Sequence, residues 1–175
     1  MHRIILSGIK HSGKSTIGWD LSSRLGLYFA DLDDLILRDA EKYETIRELY
    51  RDLGAEGFQE QEYISLQHFL QVNENKEFVL SLGGGTIENK KAVELMSENV
   101  SRYFLDALAD DLYKRIIKNG IPPFLEGDDP YKNFELMYEK RSALYREWAD
   151  YDIDTRGKNP TEISSVIESI ITDQT

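Results

Sequence analysis

The stretch Gly8-Ile9-Lys10-His11-Ser12-Gly13-Lys14-Ser15-Thr16 has the residue types and spacing to hold phosphate. It fits the pattern G-x-x-x-x-G-K-[ST], and each fixed position has a chemical reason. Gly8 and Gly13 open backbone conformations closed to residues with a Cβ, so successive N–H groups can point into one anion-sized concavity. Lys14 then reaches the outer phosphates of a nucleotide, and the Ser15 hydroxyl suits Mg²⁺. A chance glycine-rich turn would carry the same letters, so the flanking elements decide. The apolar run Ile4-Ile5-Leu6 before it reads as a short buried strand. After it, Ile17, Leu21 and Leu25 recur on one helical face, and a helix starting there offers the positive end of its dipole to a bound anion.

The rest of the chain alternates in the same way. Leu27 to Leu32 forms a second short strand, ending in Asp31-Leu32-Asp33-Asp34. Asp34 to Val72 is mostly helical, broken at Gly54 and Gly57, with Leu35, Ile36, Ile46, Leu49, Leu53, Tyr63, Leu66, Phe69 and Leu70 facing inward. Phe78-Val79-Leu80-Ser81-Leu82 reads as a buried strand closed by Gly83-Gly84-Gly85. A helix from about Asn89 to Asn99, a strand at Tyr103-Phe104-Leu105 and a helix from about Asp110 to Lys118 follow. Asn119 to Tyr131, carrying Pro122, Pro123, Gly127 and Pro130, reads as an irregular mobile loop. Phe134 to Tyr151 is helical, Ile153 begins a last strand, and Pro160 to Ile171 closes the chain as a helix with proline in its first turn. Tyr138, Tyr145 and Trp148 share a helical face and read as core. Strands alternating with helices predict an α/β fold, a three-layer sandwich around a central, mainly parallel five-stranded sheet. Ligands of such sheets gather at the carboxyl ends of the strands. Ser7 to Gly13, Asp31 to Asp34, Gly83 to Gly85 and the segment after Ile153 should therefore converge.

At 175 residues the chain suits a single domain, 1–175. It has no cysteine, which removes disulfide, zinc-thiolate and thiol-nucleophile chemistry and fits a reducing, cytoplasmic setting. We expect neither a signal peptide nor a membrane span, because no apolar run approaches the roughly 20 residues a spanning helix needs. A formal charge of -11 argues against nonspecific binding to nucleic acid. The three histidines, His2, His11 and His68, make no metal-ligand spacing. Asp110-Asp111 and Asp128-Asp129 read as solvated helix-start and loop positions. A monomer is expected.

Taken in order along almost the whole chain, these residues resemble the shikimate kinase family, P-loop proteins of the nucleoside-monophosphate-kinase-like group. The resemblance rests on the phosphate loop, Asp31-x-Asp33, the Gly83-Gly84-Gly85 turn, Pro123-Phe124-Leu125-x-Gly127-Asp128-Asp129-Pro130, Arg141-x-x-Leu144-Tyr145 and Asn159-Pro160. It implies a P-loop kinase fold with an acceptor-binding helical segment at about 34–72 and a mobile lid at about 119–131. It also implies ATP and Mg²⁺ as cofactors, and phosphoryl transfer to the 3-hydroxyl of shikimate. The family pattern gives Lys14 the cationic role, Ser15 and, through water, Asp31 the metal role, and Asp33 the acceptor hydroxyl. A plainer reading makes Asp33 a helix cap, although Asp34 is the better candidate for that. Arg115 and the turn Lys158-Asn159-Pro160 resemble the family's adenine clamp, the alternative for Arg115 being an exposed helix arginine. Phe58, Gln59, Gly83, Gly84, Gly85 and Arg141 fall where the family binds its acceptor, and Glu62 is placed to orient a neighbour there.

The acceptor pocket departs from the pattern. Such enzymes hold the acceptor carboxylate with three arginines, of which Arg141 alone has a clear counterpart. Gln59 stands where F-R-x-x-E would put one arginine, and Pro122 where R-P-L-L would put another. Two charge-assisted donors at about 1.5–3 kcal/mol each are worth roughly a hundredfold or more in affinity. The first turn of the phosphate loop carries Lys10 and His11 where small or apolar residues are usual. Either these supply positive charge from a new direction or both point to solvent. Three functional readings follow: a shikimate kinase, a kinase for another small hydroxy acid of gluconate type, and a nucleotide-binding protein with little turnover.

Overall fold

The computed structural model describes residues 2–118, 120–122 and 125–173. Five strands, β1 (Arg3–Ser7), β2 (Tyr28–Asp31), β3 (Phe78–Ser81), β4 (Ser101–Asp106) and β5 (Tyr151–Asp154), form one sheet in the order β2-β3-β1-β4-β5. Every pairing is parallel, with Ile5 opposite Leu80 and Arg102, and Leu105 opposite Ile153. Continuous apolar strands are what a parallel sheet covered on both faces requires. Ile4, Ile5, Leu6, Phe78, Val79 and Leu80 are accordingly almost wholly buried.

Alternation along the strands sends residues to two cores. Ile5, Phe78 and Leu80 pack with Leu32, Leu35, Ile36, Leu49, Leu66, Phe69, Ala92 and Met96. These come from α2 (Leu32–Asp39), α3 (Ile46–Val72), and α4 (Lys90–Leu95) with its next residue. Ile4, Leu6, Val79, Tyr103, Leu105 and Ile153 turn the other way, against Ile17 and Leu21 of α1 (Lys14–Leu25) and Ile163, Ile167 and Ile171 of α7 (Pro160–Thr172). A third cluster joins Phe104 to Leu112 and Ile116 of α5 (Ala109–Ile117), and to Phe134 and Tyr145 of α6 (Pro130–Trp148). The chain winds from β1 out to β2, returns through β3, then crosses to β4 and β5. The carboxyl ends of β3, β1 and β4 therefore border the crevice where that direction reverses.

Several boundaries differ from the pattern reading. The break in α3 lies at Gly54, whose φ of 68° and ψ of −175° are not helical, whereas Gly57 lies inside the helix. Leu53, expected inward, is 40 % exposed beside that break. The helix after the glycine turn spans only Lys90–Leu95, and Asn99 takes a left-handed φ of 58°. The helix expected from Phe134 starts at Pro130, because Asp129 caps it by accepting from Lys132 N at 3.0 Å and proline at the first position has no N–H to satisfy. Of the expected lid, Asn119, Pro123 and Phe124 lie outside the described residues. Leu125 is fully buried in the third cluster, and its N–H donates to the Pro122 carbonyl at 2.9 Å.

Candidate active site

The phosphate loop follows β1 and delivers Lys14 to the first position of α1. Gly13 precedes the helix with φ 93° and no side-chain cap, so the first N–H groups of α1 carry no side-chain oxygen from that residue. Gly8 has φ 149°, and a Cβ there would lie 2.8 Å from Ser12 Oγ and 3.0 Å from the Leu105 carbonyl. Glycine is thus needed both for conformation and for close packing on β4. The Lys14 ammonium folds back over the loop and donates to the carbonyls of Gly8 at 2.9 Å and Ile9 at 3.0 Å. Burial pulls its pKa down to about 8, against the pull of Asp33 and Asp31 in the opposite direction. Ser12 Oγ is buried without a hydrogen-bond partner among the described residues.

Asp31 ends β2 and does two things. Its Oδ1 accepts from Asp33 N at 3.0 Å, capping α2, and its Oδ2 accepts from the Ser15 hydroxyl at 2.5 Å. The cap is therefore Asp31 rather than Asp34, because the extended backbone at Asp31 aims its carboxylate at the second N–H after it. Asp33, freed from capping, lies against the glycine turn. A Cβ on Gly83 would be 3.2 Å from Asp33 Oδ1 and 3.5 Å from Glu62 Oε1. Burial, then the charge of Asp31, raises the Asp33 pKa, while Lys14 and Lys10 pull it down. A half-buried carboxylate held between like and opposite charges suits proton transfer.

Glu62 does orient neighbours. Buried on α3, it accepts from Thr86 Oγ1 at 2.6 Å and from Asn89 Nδ2 at 2.8 Å, which ties the acceptor-side helix to the turn after β3. Asn89 Nδ2 also donates to the Gln59 carbonyl at 2.8 Å. Gln59 itself is exposed, and Phe58 is tucked against the first core and tilted on Tyr50 at 5.5 Å. From α6, Arg141 Nη1 donates to the Gly84 carbonyl at 3.2 Å, and the Tyr145 hydroxyl to the Gly83 carbonyl at 3.2 Å. Tyr145 is core, as expected, yet it also pins the turn. The turn in turn touches the phosphate loop, since a Cβ on Gly84 would sit 2.7 Å from Lys10 N.

Lys10, Lys14, Ser15, Asp31, Asp33, Gly83, Gly84, Gly85 and Arg141 thus meet at the carboxyl ends of β1, β2 and β3. Arg115 joins from α5, its Nη1 donating to the His11 carbonyl at 3.1 Å. His11 holds a left-handed φ of 67°, and burial, together with Lys10, Lys14 and Arg115, lowers its pKa. Thr16 is exposed in the first turn of α1. Beyond β5, Lys158 Nζ donates to the Asp154 carbonyl at 3.0 Å, Asn159 caps α7 in a reciprocal box with Glu162, and Pro160 takes the first helical position. These three have a local structural role there. Glu88 and Lys140 escaped the sequence reading, although Glu88 Oε2 accepts from Arg141 Nε at 2.8 Å and Glu88 Oε1 from Lys140 Nζ at 2.6 Å. No signal in the residues around Glu88 announces a partner so far along the chain.

A glycine-lined phosphate loop on a five-stranded parallel sheet, a lysine and serine opening its helix and a carboxylate facing them define an ATP-dependent P-loop phosphotransferase. The model of the shikimate kinase family matches residues 10–172. A shikimate kinase from Persephonella marina is 32% identical over 167 residues, which is 95% of this chain and 97% of that relative. One from Corynebacterium jeikeium is 31% identical over 172 residues, 96% of this chain and 89% of the relative. Among solved structures, a shikimate kinase from Acinetobacter baumannii in complex with shikimate superposes with a TM-score of 0.88 at 26% identity, covering 100% of this chain and 95% of its own. One from Bacteroides thetaiotaomicron gives 0.80 at 27% identity, covering 98% of each chain. The chain belongs to the shikimate kinase family, phosphotransferases whose acceptor is an alcohol.

Proposed function

We propose that this protein transfers the γ-phosphoryl group of ATP to the 3-hydroxyl of shikimate, with Asp33 taking the hydroxyl proton. The supporting observation is the placement of Asp33, against the glycine turn on one side and within electrostatic reach of Lys14 and Lys10 on the other. The new bond joins the acceptor oxygen to the γ-phosphorus, the bond from that phosphorus to the bridging oxygen breaks, and ADP leaves with the electron pair. Lys14, already desolvated, meets the charge that develops on the outer phosphates. Phosphate oxygens would replace the two loop carbonyls it now contacts. The Ser15 hydroxyl and Asp31 carboxylate face each other and form the hard oxygen pair that would hold Mg²⁺, which would supply positive charge to the transferring phosphates. Arg115 and Lys158 to Pro160 serve as the adenine side of the site, and Phe58, Gln59, Gly83 to Gly85 and Arg141 as the acceptor side.

The working species is taken as a monomeric, cytoplasmic, single-domain enzyme over 1–175 with a lid at about 119–131. No helix among the described residues is long and apolar enough to cross a membrane. A second reading, a kinase for another small hydroxy acid, draws on Gln59 and Pro122 at the two expected arginine positions. Measuring ADP release with ATP, Mg²⁺ and a panel of hydroxy acids separates the readings. Shikimate-dependent turnover supports the proposal, and turnover with a different acid alone supports the second. Tight ATP binding with no turnover would leave only a nucleotide-binding protein.

A further inference from the structure

Arg141 is held at Nε, Nη1 and Nη2 by groups of its own chain. Its Nε and Nη2 both point at Glu88 Oε2, at 2.8 and 2.7 Å, and Nη1 donates to the Gly84 carbonyl. The guanidinium also lies on Gly85, where a Cβ would approach Nη2 to 3.2 Å. Of five guanidinium N–H donors, the two that form the planar fork best suited to a carboxylate already meet one. The pair is partly dry, with side chains 21% and 25% exposed, so screening does not make it negligible. Lys140 anchors the same carboxylate from the solvent side. Burial by itself would push the Glu88 pKa up, but the Lys140 hydrogen bond and the charge of Arg141 bring it below the ordinary range, and Glu88 is anionic at neutral pH.

We propose that Glu88 sets the acceptor preference of this site: its carboxylate occupies the Nε–Nη2 edge of Arg141, so an acceptor carboxylate must displace it or be held elsewhere. This rests on the acceptor binding between Asp33, the glycine turn and Arg141. Lys10 borders that space: its backbone abuts Gly84 and its charge, with that of Lys14, acts on Asp33; among the described residues no carboxylate is ion-paired with Lys10. Positive charge at the acceptor site has in effect moved from the glycine-turn side toward the phosphate loop, and the site tolerates a neutral group where an arginine cluster would demand a carboxylate.

The test compares shikimate with its neutral carboxamide as acceptors for the wild-type protein, Glu88→Gln and Glu88→Ala, following kcat and KM for each and KM for ATP. Binding of both compounds is also measured by calorimetry, and thermal melts check that the variants fold. The wild type should discriminate between the two by less than about tenfold, whereas both variants should lower KM for shikimate about tenfold and leave the carboxamide and ATP values within about twofold. If the variants instead raise KM for shikimate, Glu88 is a positioning residue for Arg141 and the proposal falls. Equal changes for both acceptors would overturn it too. Should the wild type neither bind nor turn over shikimate while the variants gain binding, the Glu88 inference stands and the shikimate assignment fails. Absence of binding in all three proteins removes both.

Discussion

Replacing Gly84 by alanine probes the contact on which the site's geometry depends. Gly84 does not have the left-handed backbone that favours glycine, so alanine introduces no backbone strain and the effect is steric. The new Cβ would sit 2.7 Å from Lys10 N and 3.1 Å from Lys10 Cα, both of them main-chain atoms that cannot rotate away. Restoring an ordinary contact of 3.4 Å means the glycine turn and the phosphate loop part by about 0.7 Å. Forcing an extra methyl into packed backbone costs about 1–3 kcal/mol, or about 2–12 °C in Tm for a chain of this size. The same displacement separates Asp33 and the acceptor turn from Lys14, and a shift approaching 1 Å costs on the order of tenfold to a hundredfold in kcat/KM. Gly85→Ala is the comparison, since its Cβ would meet the Arg141 guanidinium at 3.2 Å rather than main-chain atoms, so it should disturb the acceptor side without parting the two loops. Thermal melts and steady-state kinetics on both variants read the result. If Gly84→Ala keeps the wild-type Tm and kcat/KM within about twofold, the two loops do not position one another and the reasoning is wrong.

Two further outcomes can be measured directly. Lys14 loses its proton near pH 8 in the free protein, and bound phosphates would raise that pKa, so in a His11→Gly background, where no loop imidazole titrates, ATP affinity should hold at lower pH and fall about tenfold between pH 7 and pH 9; a flat profile in calorimetric titrations contradicts the burial argument, and Lys14→Met should bind weakly at every pH. Lys10→Ala should raise the acceptor KM about tenfold and leave KM for ATP nearly unchanged, because the lost charge acts on Asp33; unchanged acceptor KM and turnover would mean that this lysine serves only solvent.

What the sequence made legible was local. The phosphate loop declares itself because its chemistry is contiguous, and the central strands declare themselves because burial on both faces makes them apolar throughout. Asp31 reads from the sequence as a metal ligand, and the structure adds a second role, because a carboxylate at the end of a strand also has a helix to cap within two residues. Pro130 reads as part of the lid because proline interrupts helices, whereas after Asp129 it starts one. Leu53 fits an inward stripe until Gly54 breaks the helical register. The meeting of the phosphate loop with the glycine turn follows from the strand pattern, which brings both to the carboxyl end of the sheet. The pairing of Glu88 with Arg141 does not, because it forms only after the turn following β3 and α6 have packed together, and no local pattern encodes a contact made across that distance.

His11 is where local strain and function can be separated. Its φ of 67° puts a residue with a Cβ in the left-handed region, which costs about 1–2 kcal/mol relative to glycine, while glycine gives back about 0.5–1 kcal/mol through the freedom it adds to the unfolded chain. His11→Gly should therefore fold more stably by roughly 0.5–1 kcal/mol, about 1–4 °C in Tm. The bond from Arg115 goes to the His11 carbonyl, which glycine retains, so that anchor survives the change. The imidazole does not survive it. Burial, Lys10, Lys14 and Arg115 hold His11 below its usual pKa in the free protein, and phosphates that neutralise those cations would let the pKa rise, so ATP binding takes up a proton. A group whose pKa rises on binding favours the complex at low pH and loses that advantage as pH climbs through the bound-state value. Wild-type affinity for ATP should therefore exceed that of His11→Gly at pH 6 and converge with it by about pH 8, measured at fixed Mg²⁺ so that the titration of the nucleotide cancels. A variant that is more stable and binds ATP equally well at both pH values would leave the strained histidine without an electrostatic purpose in this loop.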